Sequence, residues 1–335
     1  MSDTTVALNP FVDFLSSDRT LLADGAMGTS LFELGLLSGE SPERWNLEEP
    51  DRVLQVHRSY IQSGCEILLT NSFGGNALRL QLHKLEHQVH ELNAAAATIA
   101  RTAAEEANRP VVVAGSMGPT GELLEPMGSL TTEACAAAYA AQAVGLEAGG
   151  ADVLWLETLS DLGEVKAALH GIRSVSQLPV AVTMSFDTNG RTMMGLTADE
   201  MAAQLAALQV NAIGANCGNN LADTESAIAQ MRSTAPEMPL ISKANAGIPQ
   251  WKGEGLVYSG SPEVMAAHAH RLKELGVRVI GGCCGSTHAH LAHMRQVIDG
   301  VIAPPDLPVP PTEERPAAGS QASRPARRSR RGRRS

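Results

Sequence analysis

Three of the five cysteines stand where two short apolar runs end. Cys217 closes Gly214-Ala215-Asn216-Cys217, and Cys283 and Cys284 sit inside Gly281-Gly282-Cys283-Cys284-Gly285. Thiolates suit zinc, which prefers four tetrahedral ligands, and three protein thiolates leave one position open for a substrate. No Cys-x2-Cys knuckle of a structural site is present. Adjacent cysteines point apart on an extended strand, but flanking glycines let a loop turn both inward. Two other readings use the same atoms. The thiols serve as buried small hydrophobes, or as a redox pair, which would be a strained vicinal disulfide without a resolving cysteine. Cys65 and Cys135 read as plain packing.

Other polar groups end further runs. Asp24 and Glu157 either face a cationic substrate group or pair with an Arg or Lys of the chain. Asn245 either fills the open zinc position or closes a turn before Gly247. Thr70 and Ser185 read as lining residues, and neither has a His partner for serine-nucleophile chemistry. His83, His87 and His90 recur at helical spacing and read as a solvated face rather than a metal face. His288, His290 and His293 follow the cysteine pair directly.

These residues need a frame that gathers strand ends. Short runs at 21–24, 66–70, 111–115, 152–157, 180–185, 212–216, 240–244 and 277–281 read as strands. Between them, 51–63, 86–108, 132–148, 162–175, 198–208, 223–233, 262–275 and 289–298 carry helical periodicity. Eight β/α units in one body predict a (β/α)8 TIM barrel over residues 1–302, with chemistry at the carboxyl ends of the strands. A doubly wound open sheet is the rival. Its dinucleotide turn needs three spaced glycines, whereas the first strand here leads into Asp24-Gly25-Ala26-Met27-Gly28-Thr29.

The chain has 335 residues, and its 44% hydrophobic content is ample for a core. Aromatics make up only 3%, too few for a module that reads bases by stacking. The formal charge of -10 hides an asymmetry. Residues 315–335 hold eight Arg and no acid, leaving 18 basic against 36 acidic side chains elsewhere. An acidic body does not attract nucleic acid. Only the Pro- and Arg-rich stretch 303–335 offers a basic surface, and it reads as a disordered, solvated tail. No secretory signal and no membrane-spanning run is legible, so a cytoplasmic location with reduced thiols is expected.

Taken together, these residues resemble the homocysteine S-methyltransferase family. The matching runs are Asp24-Gly25-Ala26-Met27-Gly28-Thr29, Thr70-Asn71-Ser72-Phe73, Gly115-Ser116-Met117-Gly118-Pro119, Glu157-Thr158, Gly214-Ala215-Asn216-Cys217, Asn245-Ala246-Gly247 and Gly281-Gly282-Cys283-Cys284-Gly285. They occur in family order from about residue 20 to 298. The likeness is nearest to bacterial betaine–homocysteine methyltransferases and to the homocysteine module of cobalamin-dependent methionine synthase. The resemblance implies a (β/α)8 barrel with zinc on Cys217, Cys283 and Cys284 and the homocysteine sulfur as fourth ligand. It also implies that Asp24 and Glu157 meet the substrate ammonium, and that backbone amides around Ala26 and Met27 meet its carboxylate. A free thiol is only about 5% ionised at neutral pH, and zinc binding removes that barrier.

For the methyl donor, the resemblance offers glycine betaine or a related small methyl-onium compound, or methylcobalamin on a corrinoid partner protein. Quaternary ammonium groups favour aromatic cages. The animal betaine enzymes carry Tyr where this chain has Gly74 and Thr158. Trp45, Phe73, Trp251 and Tyr258 are the aromatics available to rebuild a cage.

Overall fold

The computed structural model describes residues 9–187, 190–252 and 255–307, with 249–252 and 255–257 described by backbone alone. The strands are β1 Leu21–Leu22, β2 Ile67–Leu69, β3 Val112–Met117, β4 Val153–Leu159, β5 Val180–Met184, β6 Ala212–Cys217, β7 Leu240–Ala244, a hairpin of β8 Pro249–Lys252 and β9 Gly255–Tyr258, and β10 Val279–Gly282. The helices are α1 Pro10–Ser16, α2 Met27–Glu33, α3 Trp45–Glu48, α4 Pro50–Gln62, α5 Ala77–Leu80, α6 Val89–Glu106, α7 Thr132–Ala148, α8 Leu162–Val175, α9 Ala198–Ala207, α10 Leu221–Thr234, α11 Pro262–Glu274 and α12 His288–Ile298. Eight parallel strands pair in the order β1-β10-β7-β6-β5-β4-β3-β2. A parallel bridge between Ala23 and Ile67 brings the two ends together. The architecture is the expected (β/α)8 barrel. The 303–335 tail reading falls mostly on residues outside those described.

Strand side chains alternate between two buried layers, as a covered parallel sheet requires. Leu21, Ala23, Ile67, Leu69, Val112, Ala114, Val153, Trp155, Ala181, Ala212, Ile241 and Val279 fill the lumen. Phe11 and Leu15 of α1 join that cluster, so a helix outside the eight predicted units packs on the lumen layer. The intervening residues, such as Leu22, Leu68, Val113 and Leu154, pack outward against the helices. Several helices begin at side-chain caps: Thr131 for α7, Asn220 for α10, Ser261 ahead of Pro262 for α11, and a capping box of Thr197 and Glu200 for α9. Each cap satisfies an otherwise orphaned amide and contributes about 1 kcal/mol. Cys65 and Cys135 are fully buried, and burial pushes the Cys135 thiol up to about 12. Among the described residues no helix is long and apolar enough to cross a membrane.

His57 on α4 is fully buried, and neither ring nitrogen has a partner. Burial pushes its pKa down from 6.5 to about 4. Above pH 6.5 the ring is neutral in both folded and unfolded chains and costs nothing. Below that pH the unfolded chain takes up a proton that the folded chain refuses. Stability therefore falls between pH 6.5 and 4, by up to about 3 kcal/mol, and then levels off. His57→Leu should flatten this part of the curve in urea unfolding at pH 7.5 and 4.5. Equal losses in both proteins would assign the acid sensitivity elsewhere.

Candidate active site

The three cysteines meet at the carboxyl end of the barrel. Their sulfurs all lie within 4.8 Å of one another, and Cys217 Sγ is 3.0 Å from Cys283 Sγ. Among the described residues this is the one cluster of three or more His, Cys, Asp or Glu with metal-ligand spacing. His83, His87 and His90 do not converge. Each thiol shifts the ionisation of the other two. Hydrogen bonds from Cys217 and Cys283 push Cys284 down to about 3, while hydrogen bonding to its two neighbours, and then burial, push Cys283 up.

Backbone strain and side-chain clamps build this geometry. Cys217 and Thr158 both hold left-handed backbone, with φ of 59° and 61°. Such φ is uncommon for a residue with a side chain and persists only where the surroundings impose it. Asn216 is the clamp. Its Oδ1 accepts from the Thr158 amide at 2.8 Å and its Nδ2 donates to Thr158 Oγ1 at 2.6 Å. The Cys283 and Cys284 loop is tied to the end of β7 by bonds from the Cys283 amide to Ala244 O and from the Ala246 amide to Cys284 O. Asn245 bridges the two cysteine loops. Its Nδ2 donates to Gly218 O at 2.8 Å, and its Oδ1 accepts from the Cys284 amide at 3.0 Å. Its side chain is thus engaged by backbone of both cysteine loops. Gly285, at φ 77°, passes against the Tyr258 ring, and a Cβ there would lie 2.2 Å from a ring carbon.

A cavity of about 490 Å³ opens beside the sulfurs, lined among others by all three cysteines, Asp24, Thr70, Ser116, Glu157 and Lys243. Ala26 and Met27 line it too, Met27 as the first residue of α2. The Ala26 amide is given to Ser286 O. The amides of the first turn of α2 have no carbonyl four residues back to bond. Tyr60 ties this loop down: its hydroxyl shares its one proton between Ala26 O at 3.1 Å and Ser286 O at 3.3 Å. Gly25 is required there because a Cβ would come within 2.9 Å of both Tyr60 Oη and Ser286 O. Thr70 Oγ1 accepts from the Ser116 amide at 2.9 Å. Ser185 is buried at the end of β5 but is not among the lining residues.

The carboxylates have unlike surroundings. Glu157 takes a short hydrogen bond from Ser116 Oγ on Oε1. Asp24 is 2.6 Å from Lys243 Nζ through Oδ1, and its Oδ2 accepts from the Leu69 amide at 2.7 Å. Burial pushes both carboxyls up, with Lys243 the main opposing influence. Burial alone would push the Lys243 ammonium down, but Asp24 and Glu157 outweigh it and raise the group above the ordinary lysine value. Two residues that shape this site, Lys243 and Asn216, were not singled out from the sequence. A signal for Lys243 was present. In Leu240-Ile241-Ser242-Lys243-Ala244, a strand covered on both faces, a charged side chain has no outlet except the barrel mouth.

The outer cavity is lined by Glu43, Phe73, Gly74, Arg79, Leu82 and His83. Trp45 is buried in the core, with the Arg52 guanidinium 5.0 Å from its ring centroid, and is not a lining residue. Tyr258 is not a lining residue either, and the Trp251 side chain lies outside what is described.

A family model described as homocysteine S-methyltransferase matches residues 21–298. Methionine synthases of Mycobacterium leprae and Mycobacterium tuberculosis are 32% and 31% identical, covering 85% and 86% of this chain. The chain spans about a quarter of the length of these curated relatives, 25% of each. The solved structure of the homocysteine methyltransferase MmuM from Escherichia coli, in its metallated form, is 26% identical with a TM-score of 0.72, covering 86% of this chain and 99% of that one. Its apo form aligns at 25% identity with a TM-score of 0.68, covering 86% of this chain and 100% of that one.

Proposed function

The chain belongs to the homocysteine S-methyltransferase family, and from that premise we propose that it methylates homocysteine to methionine using zinc, with glycine betaine as the methyl donor. The observation that carries this reading is the trio of sulfurs opening onto a cavity whose other wall holds carboxylates. The trio fits zinc. A zinc–thiolate distance of about 2.3 Å puts the sulfurs of a tetrahedral site roughly 3.8 Å apart, inside the observed spread. Cys217, Cys283 and Cys284 would hold the ion, which supplies a lowered thiol pKa and so a thiolate acceptor at neutral pH.

The remaining work falls to positioning. Glu157 offers a carboxylate to the substrate ammonium, and Asp24 contributes to the same wall. The first turn of α2, from Met27 on, offers amides to the substrate carboxylate, the Ala26 amide being already bonded to Ser286 O. Thr70 and Ser116 fix the wall between them. Transfer forms the S–CH3 bond as the N–CH3 bond breaks, and the departing amine keeps the electron pair. The thiol proton has by then left to solvent, so no general base at the sulfur is needed.

Support for a methyl-onium donor comes from the outer cavity. Phe73 is 39% exposed there and presents the aromatic surface that a quaternary ammonium favours. Glu43 is buried and accepts from Ser41 Oγ and the Gly74 amide, each at 2.6 Å. It has no cationic partner among the described residues. Gly74 leaves room for it, since a Cβ there would lie 2.8 Å from Glu43 Oε1. Phe73→Ala should raise the KM for betaine about two- to thirtyfold, as loss of one cation–π contact predicts, while sparing homocysteine binding. Initial rates at varied betaine check this, and an unchanged KM would remove Phe73 from the donor site.

A second reading takes the methyl group from methylcobalamin on a corrinoid partner protein, as the resemblance of Glu157-Thr158 to the homocysteine module of cobalamin-dependent methionine synthase implies. The isolated, zinc-loaded protein assayed with homocysteine separates the two. Methionine formed from betaine supports the first. Turnover with methylcobalamin alone replaces it with the second. Turnover with neither, even with a corrinoid protein added, contradicts both.

A further inference from the structure

The amino-acid end of the cavity contains an ammonium group of its own. Lys243 and Asp24 have side chains only 3% and 1% exposed and form an ion pair at 2.6 Å. The second Asp24 oxygen is taken by the Leu69 amide. Nζ of Lys243 also lies 5.9 Å from the centroid of the Trp155 ring, which closes the lumen below it. The lysine is thus held by the barrel floor on one side and by Asp24 on the other. Glu157 differs. Its Oε1 takes the Ser116 hydroxyl, while Oε2 makes no hydrogen bond among the described residues, and Lys243 acts on it only through charge.

Resting on the homocysteine reading above, we propose that Lys243 is a positioning residue that removes Asp24 from direct substrate recognition and leaves Glu157 to read the substrate α-ammonium. A tethered lysine is always present at Asp24, whereas a free amino acid would have to displace it at an effective concentration it does not reach. Displacement would also leave a buried ammonium unpaired, which is costly. Charge counting agrees. Two carboxylates face one internal and one incoming ammonium, so neither stays bare once substrate is bound. Without the lysine, one incoming ammonium would leave a second buried carboxylate uncompensated.

The test compares homocysteine with 4-mercaptobutanoate, the same thiol acid without its amino group. Calorimetric binding to the zinc-loaded protein is the readout, so it does not depend on turnover. The wild type should prefer homocysteine about ten- to a hundredfold, the value of one buried charge-assisted contact. Glu157→Gln should reduce that preference to within about threefold. Asp24→Asn should retain it. Because a lone buried lysine can destabilise that variant, the double variant Asp24→Asn with Lys243→Met is measured beside it and should also retain the preference. Loss of the preference in the double variant, or its survival in Glu157→Gln, overturns the proposal. Failure of the wild type to bind either thiol would instead overturn the homocysteine reading.

Discussion

Cys283→Ala is expected to leave the barrel folded, to lower bound zinc from about one per chain to near none, and to reduce methyl transfer more than about a hundredfold. Cys217→Ala and Cys284→Ala should behave alike. The reason is coordination number. In the proposed site three thiolates would hold the ion and leave one position for the acceptor, and two thiolates would no longer hold it at working concentrations. Loss of an outer partner of a ligand already costs ten- to a hundredfold, so loss of a ligand costs more. Folding should survive because these sulfurs belong to the cavity wall and not to the main core layers. Metal analysis, circular dichroism and initial rates check each part. Full activity in a zinc-free variant would end the zinc assignment.

Glu157→Gln should weaken homocysteine binding about ten- to a hundredfold, or roughly 1.5–3 kcal/mol, with zinc content unchanged. The substitution keeps the shape and the Ser116 contact but removes the charge proposed to face the ammonium. Burial makes that charge consequential. The group sits at the end of β4 where water screens little, and its pKa is already raised by desolvation. The effect should appear in KM with little change in kcat, because the ammonium is bound equally in the ground and transition states. A variant with unchanged homocysteine affinity would make Glu157 a structural partner of Ser116.

The frame was legible because each barrel strand is a short β-branched or aliphatic run and each of the eight predicted helices carries periodic apolar residues. The predicted 132–148, 162–175 and 240–244 coincide with α7, α8 and β7. Short elements without periodicity were not legible. The loop that leads into α2 owes its shape to a tertiary contact from Tyr60, and α3, α5 and the hairpin of β8 and β9 are too short to show a period. Gathering of the cysteines was legible from their strand-end positions, since a closed barrel brings all such ends to one face. The clamp by Asn216 was not, because it depends on left-handed backbone at Thr158 and Cys217 that residue type alone does not announce. Nor was the partner of Asp24. Register decides which strand residue faces the lumen, and the parallel pairing of β7 with β10 sets Lys243 beside Gly281, just before the cysteine loop.

On the proposed function, the acceptor thiol joins the cysteine cluster as a fourth sulfur ligand. Cobalt(II) replacing zinc makes this visible, because each thiolate ligand adds to the sulfur-to-metal charge-transfer absorption. Titration of the cobalt-loaded protein with homocysteine, without any methyl donor, should increase that absorption and saturate at one equivalent per chain. Methionine, which has no thiol, should leave it unchanged. Homocysteine that binds by calorimetry yet does not alter the charge-transfer band would contradict the account.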